Sequence, residues 1–428
     1  MYRRLLISTC KLLIKLLRLV GKNGSALPGL IIERLYPNFL SKSLSQVESR
    51  IILVTGTNGK TTTTKMLVAA LRGTGAKVVT NATGSNMTRG LIAALIEDMT
   101  YFGTLKPTDW FVFEMDEAYA PIFTEKISPH LIIALNVLRD QLDRYGEIDR
   151  TANLIKQAGM KSKYFIYNEL DPLLAAVAGE LRENSINTRS FGAASELLSR
   201  VANEQTVHGQ GVFTEKTEMS TELRVVNETT DGQIVTIHSK NNNLKISLPV
   251  RGFHNALNIT AAVAVLEEIA PQSVDKAQKA ISTMPVPFGR GEKLHIRGKA
   301  ITVALVKNPS GFATNLETFV KHTKPALIIF VVNDRLADGR DMSWLWDVQF
   351  KTVVSKTSKI FTSGIRAYDM AVRLKHDDIE TETVTSVTKM MQILMQSKYN
   401  NVVIIPTYTA LFEVRTALAK YGKVPRIW

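Results

Sequence analysis

The segment that constrains the fold most is RIILVTGTNGKTTTTKMLVAAL, from Arg50 to Leu71. A run of apolar and β-branched residues leads into a glycine-containing turn, and then Met66, Leu67, Ala70 and Leu71 recur at helical spacing. Strand, tight loop, helix in that order commits the chain to an α/β sheet with the loop at its carboxyl edge. Gly56 and Gly59 permit a turn whose backbone N–H groups point at phosphate oxygens. Lys60 adds a cation, and Thr61 offers a hydroxyl to Mg²⁺ at the helix N-terminus. Val54 stands where the commoner GxxxxGK[ST] loop has its first glycine, so this turn is shorter. Nucleotide binding through Thr57, Asn58, Gly59, Lys60, Thr61 and Thr62 is expected. The Lys60 side chain is expected on an exposed loop, so that removing it spares the fold.

Composition bounds the rest. With 428 residues, 45% of them hydrophobic, the chain can bury a large core and should divide into about two or three domains. One cysteine, Cys10, excludes an internal disulfide framework and any zinc site built from several thiolates, and a reducing cytoplasm is the simplest home. Lys11, Lys15 and Arg18 interrupt the only stretch approaching the roughly 18 apolar residues of a membrane span.

The net charge of +14 suits an anionic partner: a nucleotide, a nucleic acid, a phospholipid surface or an acidic substrate. Half of that excess lies in the first 50 residues, where nine Lys and Arg face only Glu33 and Glu48. There Leu5, Leu6, Leu12, Leu13, Leu16, Leu17 and Val20 fall on one helical face, with Lys11, Lys15, Arg18 and Lys22 on the other. A helix over residues 1–20 of this kind either lies in an anionic membrane interface or packs on the body with snorkelling lysines. Residues 21–28, GKNGSALP, read as a turn or linker.

Further along, WFVFE places Glu114 at the carboxyl edge of a buried strand, within reach of a metal at the loop. LIIALN brings Asn136, followed by Asp140 and Asp143, to the same mouth. RGFHNALN opens a helix with His254, Asn255 and Asn258, and FGRGE makes a second glycine-rich turn around Arg290. LRVVNETTDGQIVTIH reads as a β-hairpin turning at Asp231 and Gly232. After Glu292 strands and helices alternate again, including a helix from Ala313 to His322, which indicates a second, smaller α/β domain. The expected division is 1–45 as basic leader and linker, 46–292 as ATP-binding domain with a β insertion at about 195–245, and 293–428 as C-terminal domain.

The TGTNGKTT form resembles the ATP-dependent Mur ligase superfamily, which includes folylpolyglutamate synthases. NMTRG (86–90), FEMDEA (113–118), NVLRDQLDRYGE (136–147), RGFHNALN (251–258), FGRGE (288–292), KNPSG (307–311), NDRLADGRDMSWLWD (333–347) and SGIRAYDMAVRL (363–374) are similar to motifs of the MurT family. That family supplies the synthetase subunits of lipid II isoglutaminyl synthases, and the likeness runs along most of the chain. The resemblance implies a Mur ligase-type central P-loop domain with a parallel sheet and a smaller Rossmann-like domain. It implies ATP and Mg²⁺, with Thr61 and Glu114 as metal ligands and Lys60 and Glu114 in catalysis. Asn255 is implied at the adenine and Arg290 near the phosphates. Asn136, Asp140, Asp143, Lys307, Asn308, Asp334, Arg335 and Asp338 become cleft residues, while Asp116 and Glu117 would orient the loop.

The implied reaction is phosphorylation of the α-carboxylate of D-glutamate in the lipid II stem peptide, then attack by ammonia to give D-isoglutamine. Asp347 is implied to complete, across an interface, the catalytic triad of a GatD-like class I glutamine amidotransferase, with Trp344 and Trp346 in the interface core. The setting would be the inner face of the cell membrane. MurT proteins commonly carry two CxxC pairs in the central insertion; residues 195–245 contain no cysteine, so zinc is not expected. An amino-acid-adding ligase would share the loop. A nucleic-acid-binding NTPase would share the basic charge, but no RNA-recognition signature or DNA-binding helix pair is present, and nucleic acid is not expected as a partner.

Overall fold

Burial along the strand Ile51–Thr55 sets the layering, because Ile52 and Val54 enter one core while Ile51 and Leu53 enter the other. The computed structural model describes residues 2–19, 26–81, 88–138, 148–200, 219–229, 232–240, 242–284, 289–321, 323, 325–351, 354 and 358–425. Nine strands of the described residues form the first sheet: β1 (Ile51–Thr55), β2 (Val78–Thr80), β3 (Trp110–Glu114), β4 (Leu131–Ala134), β5 (Tyr164–Asn168), β6 (Asn187–Ala193), β7 (Thr221–Glu228), β8 (Gln233–Ser239) and β9 (Asn243–Leu248). Their order is β2-β3-β1-β4-β5-β6-β7-β8-β9, parallel through β7, with β8 and β9 antiparallel. The expected hairpin is therefore present as β7 and β8, and β9 extends it. Residue 231 of its turn lies outside the described residues.

Each face of this sheet is covered, as a parallel sheet requires. On one side the helix Lys60–Gly73 packs through Met66, Leu67, Ala70 and Leu71, together with the helices Phe253–Ile269 and Val274–Ser282. On the other lie Thr88–Asp98, Ile148–Gly159, Pro172–Glu183 and the basic N-terminal segment. The latter folds into helices Tyr2–Leu19, Ala26–Leu35 and Phe39–Leu44, whose Ile7, Cys10, Ile14, Ile32, Phe39 and Leu44 share the core with Leu53 and Phe113.

The polar face drawn for the first helix needs correction at Lys11. This side chain points inward, and its ammonium donates to the carbonyls of Glu97 and Met99 at the end of the Thr88–Asp98 helix. A cation at the carboxyl end of a helix opposes its dipole and bonds carbonyls at the helix terminus. Burial lowers the pKa of Lys11 below the ordinary lysine value.

The second sheet holds β10 (Arg290–Ile296), β11 (Lys299–Ala304), β12 (Leu327–Val331), β13 (Lys359–Ser363), β14 (Glu382–Thr383) and β15 (Asn401–Pro406), ordered β10-β11-β15-β12-β13-β14. Arg290 thus begins a strand paired antiparallel with β11, where a turn was expected. The first helix of this unit starts at Pro309, one turn before the expected Ala313, and after Leu316 continues as a π-helical turn over Glu317–Lys321. Asn308 accepts from Gly311 N at 2.8 Å as its N-cap, and proline suits the first helical turn.

Candidate active site

Three parallel strands end together around the glycine loop. Val54 pairs with Glu114 of β3, and Thr55 pairs with Ala134 of β4, so Gly56 emerges between Met115 and Leu135. Gly56 has φ +120°, and a Cβ there would lie 2.9 Å from the backbone nitrogens of Leu135 and Asn136. Gly59, at φ +89°, caps the helix Lys60–Gly73; its Cβ would stand 2.4 Å from Asn258 Oδ1. Only glycine fits both positions.

Asn136 is the clamp on this loop. Its carbonyl accepts from Thr57 N at 2.9 Å, its Oδ1 from Asn58 N at 2.8 Å, and its Nδ2 donates to Asn58 O at 3.1 Å. Thr57 is locked further, its hydroxyl donating to Leu138 O at 3.2 Å and accepting from Leu138 N at 3.0 Å. Asn136 and Thr57 therefore shape the turn. Asp140 and Asp143 lie outside the described residues.

Lys60 is buried, which corrects the expectation of an exposed side chain. Its Nζ donates to Gly56 O at 2.6 Å and Thr57 O at 3.3 Å and lies 3.2 Å from Glu117 Oε2. Thr62, Thr63 and Thr64 are buried in the same turn, whereas Thr61 is half-buried. Among the described residues the hydroxyls of Thr63 and Thr64 find no hydrogen-bond partner.

Past β3, Glu114, Asp116 and Glu117 are all buried. Carboxylate oxygens are the hard ligands Mg²⁺ prefers, and of these three Glu117 is already paired with Lys60. Among the described residues no group of three or more His, Cys, Asp or Glu is placed to hold a metal ion by itself.

Two asparagines of this site carried no sequence assignment. Asn81, following β2, brackets Glu114: its Oδ1 accepts from Glu114 N at 2.9 Å and its Nδ2 donates to Glu114 O at 2.8 Å. Asn258 lies on the helix that packs against Lys60–Gly73 and faces Gly59. The signal for Asn81 is a polar residue directly after the apolar run of β2; for Asn258 it is the HNALN motif itself. Asn255, one turn earlier, donates from Nδ2 to Arg251 O at 2.7 Å. The His254 ring covers Gly252, whose added Cβ would meet it at 2.6 Å.

From the second unit, Asn308 reaches the loop. Asn58 Nδ2 donates to Asn308 Oδ1 at 3.3 Å, and Asn308 Nδ2 donates back to Asn58 Oδ1 at 3.1 Å. Lys307 is half-buried beside it. The other strand-end residues bond within their own unit: Asp334 pairs with Arg366 at 2.7 Å, and Arg335 with Glu413 at 2.7 Å. Asp338 accepts from Thr409 N at 2.7 Å at the start of the last helix.

Asp347 closes a short turn, Ser343–Asp347, and is partly exposed. Buried Arg373 braces this turn by donating to Leu345 O at 3.2 Å and Val348 O at 2.6 Å. Trp344 is not a surface anchor as expected: it is buried in the chain's own core, 6.1 Å from Phe312. Trp346 is half exposed and lies under the Arg373 guanidinium.

Comparison with known proteins adds family relationships. Residues 54–266 match the Mur ligase middle domain, and residues 305–411 match the MurT ligase C-terminal domain. Lipid II isoglutaminyl synthase (glutamine-hydrolyzing) subunit MurT of Streptococcus pneumoniae is 28% identical over 428 residues, covering 92% of each chain. The subunit of the same name from Staphylococcus aureus (strain COL) is 27% identical over 425 residues, covering 95% of each. The crystal structure of MurF from Acinetobacter baumannii superposes with a TM-score of 0.70 at 15% identity, over 92% of this chain and 80% of that one. That last likeness concerns the fold.

Proposed function

The chain belongs to the MurT group of the Mur ligase family, and from that premise we propose that it amidates lipid II with ATP as the synthetase half of a two-subunit enzyme. The α-carboxylate of D-glutamate in the stem peptide attacks the γ-phosphorus of ATP and ADP leaves. Ammonia then attacks the acyl carbon, and phosphate leaves to give D-isoglutamine.

The observation that carries this reading is the clamped phosphate loop. The N–H groups on the helix side of the loop and Lys60 would bind the phosphates, while Thr57 N and Asn58 N serve the Asn136 clamp that holds the loop in shape before ATP arrives, so little reorganisation opposes transfer. Thr61 and Glu114 would hold Mg²⁺, which supplies charge neutralisation on the transferring group. Asn81 fixes the backbone at Glu114 and so aims that carboxylate. By the family likeness Asn255 would meet the nucleobase and Arg290 the phosphates. Lys307 and Asn308 would line the substrate side, a role the family likeness extends to Asn136, Asp140, Asp143, Asp334, Arg335 and Asp338.

The nitrogen must come from elsewhere. The one thiol, Cys10, is buried in the first helix and its pKa is pushed up by burial, the opposite of an activated nucleophile. Glutamine hydrolysis is therefore assigned to a GatD-like partner, whose histidine Asp347 would orient from its braced turn.

Hydroxylamine tests the acyl phosphate. Supplied in place of ammonia with ATP, Mg²⁺ and lipid II, it should give a lipid II hydroxamate in step with ADP. ADP formation that ignores lipid II, with no hydroxamate, would overturn the reading.

A further inference from the structure

The first helix has two apolar faces, and among the described residues only one of them is covered. Ile7, Cys10 and Ile14 are buried in the core, while Leu5, Leu12 and Leu16 are 68%, 57% and 50% exposed. The spacing i, i+7, i+11 puts those three leucines in a single stripe about 40° wide. Beside them the loop after the Thr88–Asp98 helix presents Phe102, 70% exposed.

Cations border this apolar surface. The Arg4 guanidinium lies 5.8 Å from the Phe102 ring centroid, and Lys15 donates to the Tyr101 hydroxyl at 2.9 Å. The helix Tyr2–Leu19 contains no acidic residue at all. No described helix is long and apolar enough to cross a membrane. Exposed leucine and phenylalanine interleaved with arginine and lysine is the composition of a surface that enters an acyl boundary while its cations meet lipid phosphates.

We propose that this face docks on an anionic phospholipid bilayer, with Leu5, Leu12, Leu16 and Phe102 at the acyl boundary and Arg4 and Lys15 at the headgroups. The inward face, Ile7, Cys10 and Ile14, stays in the core, so the helix presses the whole folded body to the surface rather than peeling away from it. This contact stands apart from the amidation chemistry and is measured without ATP, lipid II or a partner.

The test is sedimentation of the full chain with vesicles of phosphatidylcholine alone or of phosphatidylcholine with phosphatidylglycerol. Binding should require phosphatidylglycerol and weaken as salt shortens the Debye length from about 10 Å to about 3 Å. Leu12→Gln with Leu16→Gln, and separately Arg4→Gln with Lys15→Gln, should each weaken partitioning by on the order of tenfold or more. Phe102→Ser repeats the test on a different element should a helix variant fail to fold. No binding to either vesicle, equal binding to both, or folded variants that bind like the parent would each overturn the proposal. So would variants that change only the oligomeric state, since the face would then be a protein contact.

Discussion

The Lys60 ammonium stands 3.2 Å from the Glu117 carboxylate, with both side chains under a tenth exposed. Removing Lys60 takes a cationic partner from a buried carboxylate, at about 3–5 kcal/mol, and removing Glu117 costs less because Lys60 keeps the Gly56 and Thr57 carbonyls. Lys60→Met and Glu117→Gln should each lower the urea midpoint, and the double variant should recover most of that loss while remaining inactive with ATP. Equal midpoints for the single variants and the parent would mean that the pair is solvated and carries no such load.

Asn308 both caps a helix and clasps Asn58. Asn308→Asp keeps the acceptor that Gly311 N needs but cannot donate to Asn58 Oδ1. It should melt near the parent yet show a KM for ATP raised several-fold. Asn308→Ala loses the cap as well and should be destabilised by about 1 kcal/mol. Parental kinetics in the Asp variant would show that the clasp plays no part in nucleotide binding.

How much of this was legible in the sequence depends on the range of the contact. The phosphate loop, β3, β4 and the alternation of the second unit follow from local pattern, and all were readable. Lys60 reads as exposed because a lysine after glycines belongs to a surface loop on local grounds. Its burial comes from Glu117, 57 residues away. Lys11 reads as polar-face for the same reason, since only the end of a helix 86 residues further on calls it inward. Trp344 and Trp346 sit two apart in one motif, and nothing in the motif says which one the core takes.

His130 packs between Trp110 and Tyr164, and burial, reinforced by Lys163, pushes its pKa below the ordinary 6.5. The folded state thus disfavours the charged ring. Above about pH 6.5 both states are neutral at this site and it contributes no pH dependence; as pH falls below that, the unfolded chain binds the proton first and stability drops. His130→Phe should flatten that part of a stability–pH profile measured between pH 7 and about pH 5. An unchanged slope would assign it to other groups.

Asp347→Asn keeps the shape of the Ser343–Asp347 turn but removes the charge offered to a partner's imidazolium. Glutamine-driven amidation should collapse while ammonium-driven amidation persists, with the two subunits still copurifying. Loss of both activities would place Asp347 in the synthetase site or the fold, and loss of complex formation would make it an ordinary interface residue.

On the proposed function this chain alone should turn a carboxylate and ammonia into an amide at the expense of ATP. Incubating the purified chain with ATP, Mg²⁺, lipid II and isotopically labelled ammonium, and locating the label by mass spectrometry of the stem peptide, tests it most directly. Label should appear in the amide at the α-carboxyl of D-glutamate, with ADP formed in step and none formed when lipid II is omitted. ATP consumption with no label in the peptide, or peptide that gains mass only when an amino acid is supplied, would contradict it.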